Sequence, residues 1–286
     1  MSNYEIFVDV SADVAPEAAA RVHFISMEYS VGESMRMCTG TDSAEDFKTF
    51  YNSQRGGDLT KTSQITPVKY CEAVASTLAA GTSVLYLCLS SGLSSTFQSA
   101  QMAQKMLKED YPNVDFIPVD TLGATGGMGV LVERALRNLD AGMSLQDNAA
   151  DMVYAAQHIR HWFMVQDLMY LKRGGRLSAA TAAVGTLLNI KPILQIDKEG
   201  RLTTDYKERG FKAAARKLIS LFSESYDAQS GDVIYIIHAD AEDIAEQLKN
   251  EVQALYPQAT VRVHYLTPII GAHTGPNMAA VCYMGK

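Results

Sequence analysis

Residues 83–139 read SVLYLCLSSGLSSTFQSAQMAQKMLKEDYPNVDFIPVDTLGATGGMGVLVERALRNL, and this stretch decides the fold. SVLYLCL (Ser83–Leu89) and VDFIPV (Val114–Val119) are short apolar runs bounded by turn residues, the pattern of buried strands. Between them Phe97, Ala100, Ala103, Met106 and Leu107 fall at helical spacing, predicting a helix over Thr96–Leu107. Val130, Leu131, Ala135, Leu136 and Leu139 do the same over Gly129–Leu139. Strand, helix, strand, helix implies right-handed crossovers and a mostly parallel sheet. The turns Ser90–Ser95 and Asp120–Gly127 both leave the carboxyl ends of strands, where open α/β sheets place their ligands.

Working outward, YEIFV (Tyr4–Val8) reads as another buried strand of the same sheet. Positions 35–61 are polar, glycine-bearing and without a strong period, and are expected to be an irregular insertion. Beyond about residue 150 the pattern changes. Asp151–His161 reads as helix and the following WFMV as strand. Lys191–Ile196, Asp232–His238 and Thr260–Leu266 read as further strands, with helices near Lys212–Phe222 and Asp243–Leu255. Fewer crossovers suggest a mixed sheet. The expected architecture is α/β with two domains. Residues 1–150 hold a mostly parallel sheet flanked by helices, and residues 151–286 a mixed sheet.

The 286 residues are 47% hydrophobic and 20% charged, which excludes disordered, collagenous and coiled-coil chains. A net charge of −7 argues against a surface for nucleic acid or anionic membrane. Cys38, Cys71, Cys88 and Cys282 lie far apart with no C-x-x-C pair, as in a reducing compartment. The first residues lack a basic start and apolar run, and nowhere do eighteen apolar residues follow one another. A cytoplasmic protein is expected.

Several motifs have two readings. Asp120–Gly129 (DTLGATGGMG) is either a phosphate cradle at a helix start or a tight turn with close helix–sheet packing. Its spacing matches no nucleotide-binding signature. His158-x-x-His161 would put two imidazoles on one helix face, but no third metal ligand stands at matching spacing, so exposure at a helix end is expected. Lys172-Arg173-Gly174-Gly175-Arg176 is a solvated turn or a docking point for an acidic partner or a phosphate. KTSQ (Lys61–Gln64), SSGLSST (Ser90–Thr96) and AHTGP (Ala272–Pro276) together offer hydroxyls and one imidazole, a set able to hold a carboxylate. Spacing alone does not say whether they meet.

Taken in order, these segments carry a resemblance. The sequence DVSAD (Asp9–Asp13), then KTSQ, SSGLSST and the VDT of Val119–Thr121 resembles the start of a DegV-family protein. LMYLKRGGRLS (Leu168–Ser178), GTLLNIKPIL (Gly185–Leu194) and GAHTGP (Gly271–Pro276) extend the resemblance to the end of the chain. The resemblance implies a protein that binds one long-chain fatty acid between two α/β domains. It also implies presentation of the carboxylate to a separate, ATP-using fatty acid kinase subunit. The ligand would be an acid of sixteen to eighteen carbons such as palmitate, stearate or oleate, with no cofactor, metal or catalytic residue of the protein's own. On that pattern Thr62, Ser94 and His273 bind the carboxylate, with Ser63, Arg209 and Thr274 in support. Lys172, Arg173 and Arg176 would face the partner. The sequence departs from the pattern at Val10, Ile65 and Gly210, where the family carries serine, proline and threonine.

A tunnel for such a chain supplies affinity, since fifteen methylenes are worth about 12 kcal/mol gross on leaving water, less the cost of ordering them. Met102, Met106, Leu187 and Phe211 are either tunnel lining or plain core. Two other classes stay open. One is a serine-type acyl hydrolase using Ser94 and His273, with Asp120 as a third member. The other is an interaction protein with a structural lipid.

Overall fold

The computed structural model describes residues 4–166, 168–177 and 189–286. From the N-terminus the elements are β1 (Tyr4–Asp9), α1 (Pro16–Ala19), β2 (His23–Ile25), β3 (Met27–Val31), β4 (Ser34–Cys38), α2 (Ala44–Arg55) and β5 (Thr60–Thr62). Next come α3 (Pro67–Ala79), β6 (Ser83–Cys88), α4 (Thr96–Asp110), β7 (Phe116–Asp120), α5 (Thr125–Asp140) and α6 (Leu145–Ala156). The remainder runs β8 (Ile159–Met164), α7 (Met169–Arg173), β9 (Ile190–Ile196), β10 (Leu202–Arg209), α8 (Phe211–Ser225) and β11 (Ile234–His238). It ends with α9 (Glu242–Leu255), β12 (Val261–Tyr265), α10 (Pro268–Thr274) and β13 (Ala279–Met284).

Three sheets result. The first, in order β2-β1-β6-β7, is wholly parallel, as its alternating strands and helices require. The largest has order β10-β9-β8-β13-β11-β12 and is mixed: β11 and β12 are parallel and the other pairs antiparallel. Its two strands outside the sequence reading explain themselves. β10 (LTTDYKER) is a polar edge strand, and β13 (AAVCYM) is a short run buried on both faces.

The stretch 35–61 is not irregular. It carries α2 and most of the two edge strands of a small antiparallel sheet, order β4-β3-β5. A Ser43–Asp46 capping box starts α2, and Phe47, Phe50, Tyr51 and Gln54 are buried along one face. Short strands and a helix whose apolar stripe is interrupted by polar residues leave no long period to read.

The α5 helix joins the two larger sheets. On its sheet-facing side a Cβ at Gly126 would lie 2.7 Å from Tyr235 and Ile237 of β11, and one at Gly129 would overlap the Asp13 carbonyl at 2.5 Å. Gly126 and Gly129 of DTLGATGGMG therefore serve close packing of α5 on the sheet. Side chains on the opposite face of the mixed sheet, among them Trp162, Ile193, Ile234 and Ile236, form a second core under α8 and α9 with Leu218, Phe222 and Leu248.

Candidate functional site

Where β6 and β7 end, Leu89, Leu93, Ala124 and Thr125 face the mixed sheet across a pocket. His161 and Phe163 of β8, Ala280 and Cys282 of β13, and Ile196 and Leu202 of the β9–β10 hairpin form the opposite wall. Register explains the selection: Phe163 pairs with Ala280 and His161 with Cys282, so every second residue of both strands points the same way. The free space inside the pocket is narrow, about 70 Å³. Its wall is mostly aliphatic and aromatic.

Polar groups gather at one end. Thr62, at the end of β5, and His273, in the last turn of α10, meet at 2.8 Å through Oγ1 and Nε2. Ser63, Ser94, Thr274 and Arg176 also line the pocket. The Ser94 hydroxyl sits at the start of α4, where it accepts the Thr96 N–H at 3.2 Å and meets the Thr96 hydroxyl at 2.7 Å. Burial and the nearby Arg176 guanidinium pull the His273 imidazole down to about 4, so it is neutral near pH 7. Among the described residues its buried Nδ1 has no hydrogen-bond partner. Gly174 makes room for it, since a Cβ there would overlap Nδ1.

Other segments hold this end in place. Gln54 of α2 donates to the Gly271 carbonyl at 3.0 Å, and the Thr60 hydroxyl donates to the Ala272 carbonyl at 3.0 Å. The Tyr51 hydroxyl donates to the Leu266 carbonyl at 2.7 Å, just before α10. The supposed insertion is thus the clamp on the histidine's helix. Asp9, in DVSAD, accepts the Leu89 N–H at 2.9 Å and the Tyr86 hydroxyl at 2.8 Å, which fixes the strand end leading to Ser90–Thr96.

A second cleft, more polar, shares Thr62, Arg176 and His273 with the pocket and continues outward past Gly174, Asp58, Lys61, Tyr170 and Arg173. The polar end of the apolar pocket is therefore also the inner end of a surface groove.

The structure brings together Thr62, Ser63, Ser94, His273 and Thr274, but not Arg209, which is exposed at the end of β10 and away from the pocket wall. Arg176 is half-buried where the pocket meets the outer cleft, with Nε donating to the Leu93 carbonyl at 3.2 Å and Nη1 to the Gly174 carbonyl at 2.6 Å. Lys172 and Arg173 are exposed, Arg173 lying over the Tyr170 ring at 4.6 Å. Met102 and Met106 face solvent at 58% and 44% exposure, and Phe211 packs under Lys191 at 4.3 Å, so none of the three lines the pocket. Leu187 and Ser178 lie outside the described residues, as does the first half of GTLLNIKPIL. His158 and His161 do not share a helix, because α6 ends at Ala156 and β8 begins at Ile159. His158 is half-buried in the turn, whereas His161 is buried in the pocket wall. Among the described residues no group of three or more His, Cys, Asp and Glu is placed to hold a metal ion.

A hydrolase relay is not assembled. His273 pairs with Thr62 and Ser94 with Thr96, while Asp120 accepts the Ser91 and Leu122 N–H groups at 3.1 and 3.0 Å.

This arrangement coincides with a family match over nearly all of the chain: the model described as "Uncharacterised protein, DegV family" covers residues 3–286. The chain belongs to the DegV family. It is 35% identical over 280 residues to the DegV domain-containing protein YteA of Lactococcus lactis, covering 97% of this chain and 96% of that protein. The crystal structure of DegV from Bacillus subtilis, described as a fatty acid binding protein, is 29% identical and superposes with a TM-score of 0.83 over all of both chains. The fatty acid kinase B3 protein of Streptococcus pneumoniae, solved with linoleic acid, shares the DegV fold at 21% identity and a TM-score of 0.86, over all of both chains. Among the described residues no helix is long and apolar enough to cross a membrane.

Proposed function

We propose that this protein binds one long-chain fatty acid and presents its carboxylate to a separate fatty acid kinase subunit. The observation that carries the reading is the Thr62–His273 pair, seated where the apolar pocket meets the outer cleft. Solved DegV relatives support the ligand: the Bacillus subtilis structure is described as a fatty acid binding protein, and the Streptococcus pneumoniae structure as loaded with linoleic acid. The latter's name, fatty acid kinase B3, supports the partner.

The chemistry follows from the donors. With a neutral imidazole, the pair can be arranged so that Nε2–H donates to the Thr62 oxygen and frees the threonine O–H for a carboxylate. Ser94 has a hydroxyl on the same pocket, and Arg176 brings the charge that a carboxylate leaving water needs. The acyl chain occupies the apolar remainder. Held so, the carboxylate faces the outer cleft, and a phosphoryl donor bound by the partner reaches it there while the chain stays covered. Arg173 borders that approach, and Lys172 is exposed next to it in the chain. On this reading the protein itself carries no catalytic residue or cofactor. The chain then divides near residue 150 into two α/β units with the lipid between them.

The test is denaturing extraction of the purified protein with mass spectrometry, followed by incubation with a fatty acid kinase subunit and ATP. One acid of sixteen to eighteen carbons per chain, converted to acyl phosphate only when both proteins are present, is expected. Absence of a bound acid together with failure to take up oleate or palmitate would remove the reading.

A further inference from the structure

One polar side chain does not belong to the head-group end. β8 carries His161 into the apolar wall opposite Cys282, where it is 4% exposed. Its Nε2 faces the first turn of α5: a Cβ at Gly127 would overlap it, and one at Gly123 would lie 2.8 Å away. The Ala124 N–H donates to it at 3.4 Å. Nε2 is therefore the acceptor nitrogen, and in the neutral ring the proton sits on Nδ1. Burial, helped by Arg160, holds the imidazole down to about 3, and the positive end of α5 acts in the same direction. Among the described residues no acceptor meets that Nδ1–H. An N–H without an acceptor in apolar surroundings is costly.

A second feature stands beside it. Thr125 also lines the pocket and holds φ at +51°, a conformation that β-branched residues avoid. Cys282 lines the same pocket beside it. Strain of this kind persists where surrounding structure imposes it, commonly at binding sites. His161, Thr125 and Cys282 make a polar patch inside an otherwise greasy wall.

The patch lies along the chain of a bound acid rather than at its carboxylate. Met278, Ala280 and Cys282 are successive pocket-facing residues, and α10 with His273 leads into the Met278 end. At roughly 3.4 Å per residue, Cys282 and its partner His161 lie roughly 14 Å farther along the strand.

We propose that His161 is a specificity residue, donating Nδ1–H to an oxygen on the acyl chain, and that the pocket takes hydroxy or oxo fatty acids in preference to saturated ones. The proposal rests on the fatty-acid reading above. It follows the rule that a site built to hydrogen-bond a substrate group discriminates strongly against the analogue lacking it.

The experiment measures affinities for stearate and for a series of hydroxystearates and oxostearates with the oxygen at successive positions. Wild type is compared with His161→Leu, which lacks the donor, and His161→Gln, which retains one. A narrow window of positions is expected to bind on the order of tenfold more tightly than stearate in the wild type. The preference should vanish in His161→Leu, with stearate binding kept, and survive in part in His161→Gln. Wild-type protein that binds stearate at least as tightly as every isomer overturns the proposal while leaving the fatty-acid reading intact, and so does a preference that persists in the leucine variant. Failure of all the acids to bind overturns both. If the leucine variant does not fold, the wild-type series and the glutamine variant decide.

Discussion

The Thr267 N–H donates to Asp13 Oδ1 at 2.9 Å, so the start of the helix that carries His273 is fastened to the segment after β1. The Thr267 hydroxyl reinforces it by donating to the Val10 carbonyl at 3.1 Å. Asp13 is fully buried and its other oxygen has no partner among the described residues. Burial outweighs the bonds from Thr267 and pushes the Asp13 carboxyl up to about 8.

That shift makes a signed prediction. In the unfolded chain Asp13 loses its proton near its ordinary pKa of about 4, whereas the folded chain keeps it to about 8. The stability it contributes is complete below the lower value and is lost as pH rises through the upper one. His161 and His273, depressed to about 3 and about 4, act oppositely on the acid side: their contribution is present above about 6.5 and is lost as pH falls. The difference between wild type and Asp13→Asn isolates the carboxyl. Melting temperatures of the two proteins should converge or cross as pH rises from about 5 to about 9, the wild type losing ground. Parallel curves would show that Asp13 titrates normally.

Thr62→Val removes a hydroxyl and leaves the shape. A hydrogen bond to a charged group is worth about 1.5–3 kcal/mol, so retention of a bound fatty acid should fall by about tenfold to a hundredfold, with little change in melting temperature. The same loss is expected for His273→Ala. Because His273 is neutral down to about pH 4, affinity should not change through its titration between about pH 5 and 8. A sigmoidal drop with midpoint near 6.5 would contradict the buried, neutral imidazole.

Gly174→Ala tests the loop of Lys172–Arg176 from the other side. The added methyl would overlap His273 Nδ1, and the backbone there is ordinary right-handed, at φ −71° and ψ −10°. The strain falls on the imidazole rather than on the chain. Acyl retention should drop about as far as in His273→Ala, while the melting temperature moves by only a few degrees. Gly175→Ala is the contrast: a Cβ there meets nothing, but φ is +72°, so that variant should lose stability and keep its ligand.

How much of this was readable from sequence differs by element. Strands such as Ser83–Cys88 and helices such as Thr96–Asp110 declare themselves because their apolar residues repeat over several turns or fill a whole run. Thr62, Ser94 and His273 were legible through motif order, although no spacing says that β5, the β6–α4 turn and α10 converge. A basic run is normally solvated, so the sequence places Arg176 at the surface. Only the fold shows its guanidinium turned back onto the Leu93 and Gly174 carbonyls. Gly210 shows a departure with a reason: at φ +82° it precedes α8 in a conformation where a threonine would be strained. At Ile65, where the family carries proline, the chain has its proline two residues later: Thr66 caps α3 and Pro67 takes the helix's first position. Nothing in the structure explains Val10.

Arg134 supplies the last prediction, about what holds α5 to its neighbours. Its Nε and Nη2 form a two-bonded fork with Asp151 of α6 at 2.7 and 2.9 Å, and Nη1 reaches Asp232 before β11 at 2.8 Å. The Asp232 side chain is 1% exposed, with Arg137 as its other cation at 2.5 Å. Removing one partner of a buried pair costs more than the pair's net worth, because the remaining charge stays desolvated. Arg134→Met should therefore destabilise by about 3 kcal/mol. The double variant Arg134→Met with Asp232→Asn should recover part of that. Asp151, which Arg134 holds below the usual carboxylate range, adds a pH signature. Its contribution is present above its ordinary pKa and lost as pH falls, so the wild type's advantage over Arg134→Met should shrink toward pH 3. Denaturant melts at neutral and acid pH measure both effects. A single variant as stable as wild type at neutral pH would mean that Arg137 alone satisfies Asp232.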